Sequence, residues 1–366
     1  MKRFLTKTLI MVVPIIGMVL YYVMAVEPHK NGDLGNLGFI PFDESYNTTI
    51  NSMGLDSVYA ISIDNLDSID CDSSILTIGD SFSILGTSSY QNFLAKLYPG
   101  FKIYNLDYNH ASEASDEPAV NYQLFVDKLI QDAPLPRIII LESVERYIAD
   151  RLYNLKFYPH AETDRITEMS AINRESLPEE NNQIKSREAN SLLTRIIDNK
   201  EKLRKNFLNT QEYIKKRFNI DNPVKHLKLR QEMFTCEGRE DDLFFYRDDL
   251  IDIPENIYTE SRHKLDSLFS ITEQKGIRFV FLVPSDKYDL YKDFTINDTY
   301  GAKGQLAAFD QYNDNPRFLN GKELLYPYLK QGEKDIYRCN DTHWSPLASS
   351  YVAKELKRRL DIQEKQ

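Results

Sequence analysis

Four short apolar runs stand out from an otherwise mixed chain: Ser74–Gly79 (SILTIG), Phe101–Leu106 (FKIYNL), Arg137–Glu142 (RIIILE) and Ile277–Val283 (IRFVFLV). Short runs that are nearly continuous in apolar residues predict buried strands, RIIILE most clearly as in a parallel sheet, and FKIYNL alternates and reads as a strand. The segments between them have helical character. Phe82–Tyr98 carries apolar residues at helical spacing and stops before Pro99-Gly100, which predicts one helix. Asp116-Glu117-Pro118 opens the next, with Asp near the N-cap and Pro near the first turn, and Pro134 and Pro136 end it. This strand–helix alternation predicts an open α/β sheet with helices on both faces. From about Tyr158 to Met233 the chain turns charged and Asn-rich, which predicts an inserted helical excursion. The α/β pattern resumes at Pro254 with a helix to Lys275-Gly276. A short strand is expected near Asp335–Cys339, and Ser345 as N-cap with Pro346 behind it starts a last helix to about Leu360.

The N-terminus changes the picture from a plain globular domain. Lys2, Arg3 and Lys7 precede an uncharged run from Thr8 to Val26, long enough as a helix to span roughly 28 Å, the thickness of a bilayer core. The charge asymmetry predicts a cytoplasmic N-terminus and an exported remainder. A cleaved signal peptide, with Val23 and Ala25 flanking the cleavage site, is the alternative, and it exports the remainder too. The organisation expected is therefore an anchor or signal over 1–28, a polar stalk over 29–72, an α/β domain in two parts over 73–157 and 236–362, and the helical insertion over 158–235. The exported part is expected to face the periplasm.

Composition narrows the function. The chain is 42% hydrophobic with a net charge of −10, which provides for a core and lacks the basic face that nucleic-acid binding needs. Three cysteines permit at most one disulfide, with Cys236 and Cys339 as candidates. There is no CxxC, and the six histidines are scattered, so neither a metal nor another cofactor is expected.

Two places carry chemistry. Gly79-Asp80-Ser81-Phe82 stands where the first apolar run meets the following helix. In open α/β sheets, ligands bind outside the carboxyl ends of the strands, and a Ser there presents its hydroxyl to that crevice. Its own N–H, at a helix start, suits a developing oxyanion. Asp341-x-His343 stands at another strand-to-helix junction. An Asp two residues before a His can take the Nδ1 proton and leave Nε2 to face a hydroxyl nucleophile. His343 as a capping or surface residue is the plainer alternative. Trp344, the single Trp, is open to three readings: a wall of the site, a sugar-stacking platform, or core.

Together, Gly79-Asp80-Ser81-Phe82 and Asp341-Thr342-His343-Trp344 resemble the SGNH hydrolase superfamily, and more closely its alginate O-acetyltransferase-like branch. Gly32-Asp33-Leu34-Gly35, Glu142-Ser143-Val144-Glu145-Arg146 and Val283-Pro284-Ser285-Asp286-Lys287-Tyr288 extend the likeness to nearly the whole chain outside the insertion. The resemblance implies a three-layer, flavodoxin-like α/β fold and a Ser81–His343–Asp341 triad. It also implies O-acetylation of an exported polysaccharide, with a multispanning membrane acyltransferase supplying the acetyl group. A carbohydrate acetylesterase and a degenerate glycan-binding or assembly protein are the alternatives. The chain departs from the family where a Gly and an Asn usually complete the oxyanion hole. Asp107–Ser115 has no Gly, although Asn109 is near, and the third strand ends in Glu142-Ser143. Asp80 is grouped with the site by its place beside Ser81. Arg146 stands either as a substitute oxyanion donor or as an ion-pair partner of Glu142, Glu145 or Asp150. Lys287 stands either as a contact to an acidic glycan or as a solvated lysine.

Overall fold

The computed structural model describes residues 32–38, 40, 42–106, 117–157 and 222–365, together with Val12, Val13 and Gly17. Its centre is a six-stranded sheet, parallel throughout, built from β1 (Ile61–Ile63), β2 (Ser74–Ile78), β3 (Lys102–Leu106), β4 (Ile138–Glu142), β7 (Arg278–Val283) and β8 (Phe318–Asn320). The spatial order is β1-β3-β2-β4-β7-β8. The four apolar runs became the four inner strands because a strand covered on both faces must be apolar on both.

Helices cover each face of the sheet, so the fold is a three-layer α/β arrangement. On one side, Ile75, Ile103, Ile138, Ile140, Val280 and Leu282 pack against α3 (Tyr90–Leu97), α8 (Gly321–Lys330) and α9 (Pro346–Glu364). On the other, Leu76, Ile78, Ile139, Leu141, Phe279 and Phe281 pack against α4 (Glu117–Ile130), α5 (Glu145–Asn154) and α6 (Glu255–Gln274). Successive strand residues thus feed opposite cores, as the period of two requires. The β2-to-β3 connection carries α3 on the first face, and the β3-to-β4 connection carries α4 on the second. The winding therefore reverses between β2 and β4, and a crevice opens at their carboxyl ends.

Several expectations need correction. The stretch 82–98 is not one helix: two 3₁₀ turns, Ser81–Ser83 and Gly86–Ser88, precede α3. Ser81, Ser83, Ser88 and Ser89 crowd this stretch, and serine favours local turns over helix interior. The residues read as a stalk are part of the domain. They form α1 (Asp33–Gly38), α2 (Glu44–Asn51) and the edge strand β1, and Leu34, Tyr46 and Ile50 are core residues. The expected helical insertion ends, within the described residues, in a strand: β5 (Val224–Lys228) pairs antiparallel with β6 (Asp242–Tyr246). Most of that insertion and nearly all of the apolar run from Thr8 to Val26 lie outside the described residues, among which no helix is long and apolar enough to cross a membrane. The segment Asp335–Cys339 forms no strand, only a bridge between Tyr337 and Trp344. Its N–H groups go elsewhere: Tyr337 donates to the Tyr291 hydroxyl and Cys339 to the Tyr46 hydroxyl, each at 3.1 Å. Cys236 and Cys339 form a disulfide, and Cys71 is free.

Candidate active site

Ser81 opens the turn that follows β2, at the point where the winding of the sheet reverses. Asp80 caps this turn. Its Oδ1 accepts from Phe82 N at 3.2 Å, and its Oδ2 accepts from Val144 N at 3.0 Å and Arg151 Nη1 at 2.7 Å. Glu142, the last residue of β4, reaches under the same turn, where its Oε2 accepts from Asp80 N at 3.0 Å and Ser83 Oγ at 2.8 Å. Gly79 permits this approach, since a Cβ there would collide with the Glu142 carboxyl and Ser83 Oγ. Burial favours the neutral form of both acids, but the charge of Arg151 overrides it at Asp80 and holds that carboxyl below its ordinary range. Glu142 is driven well above its range, by burial first and then by the Asp80 charge. The pair thus favours a charged Asp80 beside a neutral Glu142 under the Ser81 turn.

His343 lies across the crevice on the loop before α9. Its Nε2 is 2.6 Å from Ser81 Oγ, and its Nδ1 is 2.5 Å from Asp341 Oδ1. The Asp341 oxygen also accepts from His343 N at 3.0 Å, so a single carboxylate fixes both the backbone and the ring. Burial would raise Asp341, but the neighbouring imidazole and these hydrogen bonds hold it well below the usual carboxylate range. Burial would lower His343, but Asp341, then Asp33 and Asp80, raise it above the ordinary histidine value. This is the geometry of a hydroxyl nucleophile, a base, and a group that sets the tautomer of that base.

The other expected residues divide. Asp80 is at the site, as the cap just described. Trp344 is fully buried against Phe82 and Tyr90, with ring centroids 4.8 and 6.4 Å away, so it is a packing residue under the nucleophile turn and not a sugar platform. Arg146 is not an oxyanion donor: its Nη1 is committed to Asp249 at 3.1 Å and to Asp286, partners other than those expected. Lys287 is neither a glycan contact nor solvated. It is 1% exposed, and its Nζ donates to the carbonyls of Arg338, Cys339 and Asp341 at 2.7, 3.0 and 3.1 Å. Three acceptors match the three N–H groups of an ammonium. Burial pulls Lys287 down to about 7, against the charges of Asp33, Asp341, Asp249 and Asp335. Asn109 lies outside the described residues.

Residue-by-residue reading missed Asp33, Glu142 and Arg151 as parts of this assembly. The first two sit in stretches that carried the family likeness, which was their only sequence signal; Arg151 had none. Asp33, Asp341 and His343 are also the one described group of three able to offer a metal three ligand atoms within 4.8 Å of one another. Hydrogen bonds already occupy these atoms: Asp341 takes the imidazole, and Asp33 accepts from Thr342 N at 2.8 Å and from Thr342 Oγ1. The arrangement can move a proton from Ser81 through His343 and stabilise the imidazolium that results. No protein-family model, curated protein or solved structure matches the chain.

Proposed function

We propose that the protein is an exported, serine-dependent O-acetyltransferase of the SGNH-hydrolase type, acting on a cell-surface or exported polysaccharide through an acyl-Ser81 intermediate. The observation that carries this reading is the chain of contacts from Ser81 Oγ to His343 Nε2 at 2.6 Å and from His343 Nδ1 to Asp341 at 2.5 Å. The strand order from β3 to β8, 2-1-3-4-5 in chain numbering, is that of flavodoxin-like sheets and agrees with the family resemblance. In the first step the Ser81 proton passes to His343 Nε2 as Oγ attacks the acyl carbonyl. His343 then returns the proton to the departing donor group, which leaves acetyl-Ser81. In the second step a sugar hydroxyl gives its proton to His343 and attacks the acyl carbon, and Ser81 recovers a proton from His343 as the ester moves to the glycan. The Ser81 N–H, at the start of its turn, is the oxyanion donor we assign. The multispanning membrane acyltransferase expected as acetyl donor belongs to the same proposal.

If water takes the place of the sugar hydroxyl, the same residues make an acetylesterase. The half-buried Ser81 and the partly exposed His343 give that reading its support. A degenerate binding scaffold is expected to hold Ser81 and His343 beyond hydrogen-bond reach, and 2.6 Å runs against it.

The test is acetyl transfer to oligosaccharides and hydrolysis of an aryl acetate, wild type against Ser81→Ala. We expect both activities to fall on the order of 10⁴-fold or more in a variant that stays folded; retained turnover would sink the assignment. His343 must be neutral to act as base, and its pKa is raised. The acid limb of kcat/KM is therefore expected above the ordinary histidine value of about 6.5, with activity rising as pH increases through it.

A further inference from the structure

Asp33 is 308 residues from Asp341 in the chain, yet the two segments interlock. The Asp33 carboxylate accepts from both the N–H and the hydroxyl of Thr342, the residue between Asp341 and His343. Asp33 N donates to Asp341 Oδ2 at 3.4 Å, and Leu34 N and Gly35 N donate to the Asn340 carbonyl at 3.1 and 3.3 Å. Gly32 lies so close to that carbonyl that a Cβ would collide with it, and its φ of +78° suits only glycine without strain. Leu34 is fully buried and holds the segment in the core. Most of these contacts would serve any well-packed loop. One does more: Asp33 Oδ2 lies 3.8 Å from His343 Nδ1, the ring nitrogen that Asp341 bonds.

We propose that Asp33 is a second carboxylate of the base, a positioning residue that holds the Asp341–His343 loop in register and shares with Asp341 the stabilisation of the imidazolium formed during acyl transfer. This rests on the acyl-transfer reading above. An imidazolium flanked by two carboxylates at Nδ1 is favoured more than one flanked by a single carboxylate. The groups facing Asp33 are Asp341 and His343 on the loop and Lys287 from helix α7 (Lys287–Tyr291). Burial, and then the Asp341 charge, push Asp33 up to about 6, with His343 opposing, so the carboxyl is ionised at neutral pH. The Lys287 Nζ directs its hydrogen bonds to the carbonyls of Arg338, Cys339 and Asp341 and makes none to the Asp33 carboxylate.

Asp33→Asn separates the electrostatic role from the structural one. Its carboxamide oxygen can still accept from Thr342, but the charge is gone. The assay is aryl-acetate hydrolysis by the full chain from about pH 5 to 9, with Ser81→Ala alongside. Removing the charge lowers the His343 pKa, so the acid limb of kcat/KM should move down by about one pH unit. The plateau kcat should fall about tenfold, with KM within about twofold. Asp33→Ser, whose hydroxyl can also accept from Thr342, is the second uncharged variant if Asp33→Asn fails to fold, and it should shift the limb the same way. A folded uncharged variant whose acid limb coincides with that of the wild type overturns the proposal, whatever its rate. Activity that survives Ser81→Ala instead overturns the acyl-transfer reading on which the proposal rests.

Discussion

The two halves of the site are built in opposite ways. The Ser81 half grows directly from the sheet: β2 ends, Gly79 and Asp80 follow, and Ser81 stands at the head of a turn whose supports, Glu142 and Arg151, come from β4 and the helix after it. The His343 half has no regular structure of its own. His343 sits on a loop whose backbone is fastened from outside by Asp33 and the N–H groups of α1, by the Lys287 ammonium, and by the disulfide at Cys339. A strand end needs little help, because its neighbours in the sheet already define it. A loop that must hold an imidazole to a few tenths of an ångström needs anchors from several distant parts of the chain, each supplied by a buried or half-buried polar group. Perturbing the first half should therefore unsettle the core, and perturbing the second should misplace the base.

Substitutions at three residues probe that contrast. The largest stability effect is expected at Arg151→Met, which leaves the buried Asp80 carboxylate without its ion-pair partner at 2.7 Å. Breaking a buried pair from one side costs about 3–5 kcal/mol, readable as a lower midpoint in urea unfolding. A change below about 1 kcal/mol, a value typical of surface pairs, would mean that Asp80 is supported in another way. Next comes Lys287→Met, which removes the Nζ donor from three loop carbonyls, of which, among the described residues, only that of Arg338 keeps a second donor, Asp341 N at 3.4 Å. We expect a loss of about 1–3 kcal/mol in stability and a fall in kcat larger than that of Arg151→Met relative to its stability loss. Equal ratios in the two variants would erase the distinction between the halves. The smallest effect is expected at Glu142→Gln. Burial and the Asp80 charge favour the neutral form of Glu142, so the amide should cost under about 1 kcal/mol, whereas Glu142→Ala removes the acceptor for Asp80 N and Ser83 Oγ and should cost more. A Glu142→Gln variant as damaged as Glu142→Ala would show that the carboxyl is ionised.

The same contrast explains what could be read from the residues alone. The inner strands were legible because β2, β4 and β7 are runs dominated by Ile, Leu, Val and Phe, and β3 (KIYNL) alternates, each a local property of a few consecutive residues. The edge strands β1 and β8 are three residues each, too short to show a period, and β5 lies inside the charged stretch with its partner β6 beyond it. Ser81 was legible from its place after a strand, and the Asp341–His343 pair from its spacing. Asp33, Lys287 and Arg151 act across 308, 54 and 71 residues of chain, and no window along the sequence contains both ends of such a contact. Arg146 and Lys287 were each offered two readings because a cation near a strand end can face a ligand or a buried partner. Burial decides between them, and burial is a property of the fold.

If Ser81 carries the acyl group and His343 activates its hydroxyl, mass spectrometry of the protein quenched during turnover of an aryl acetate will catch the intermediate. One acetyl group is expected on the peptide that contains Ser81 in the wild type and none in His343→Ala. An acetyl group on any other residue, or an equal yield at Ser81 without His343, would contradict it.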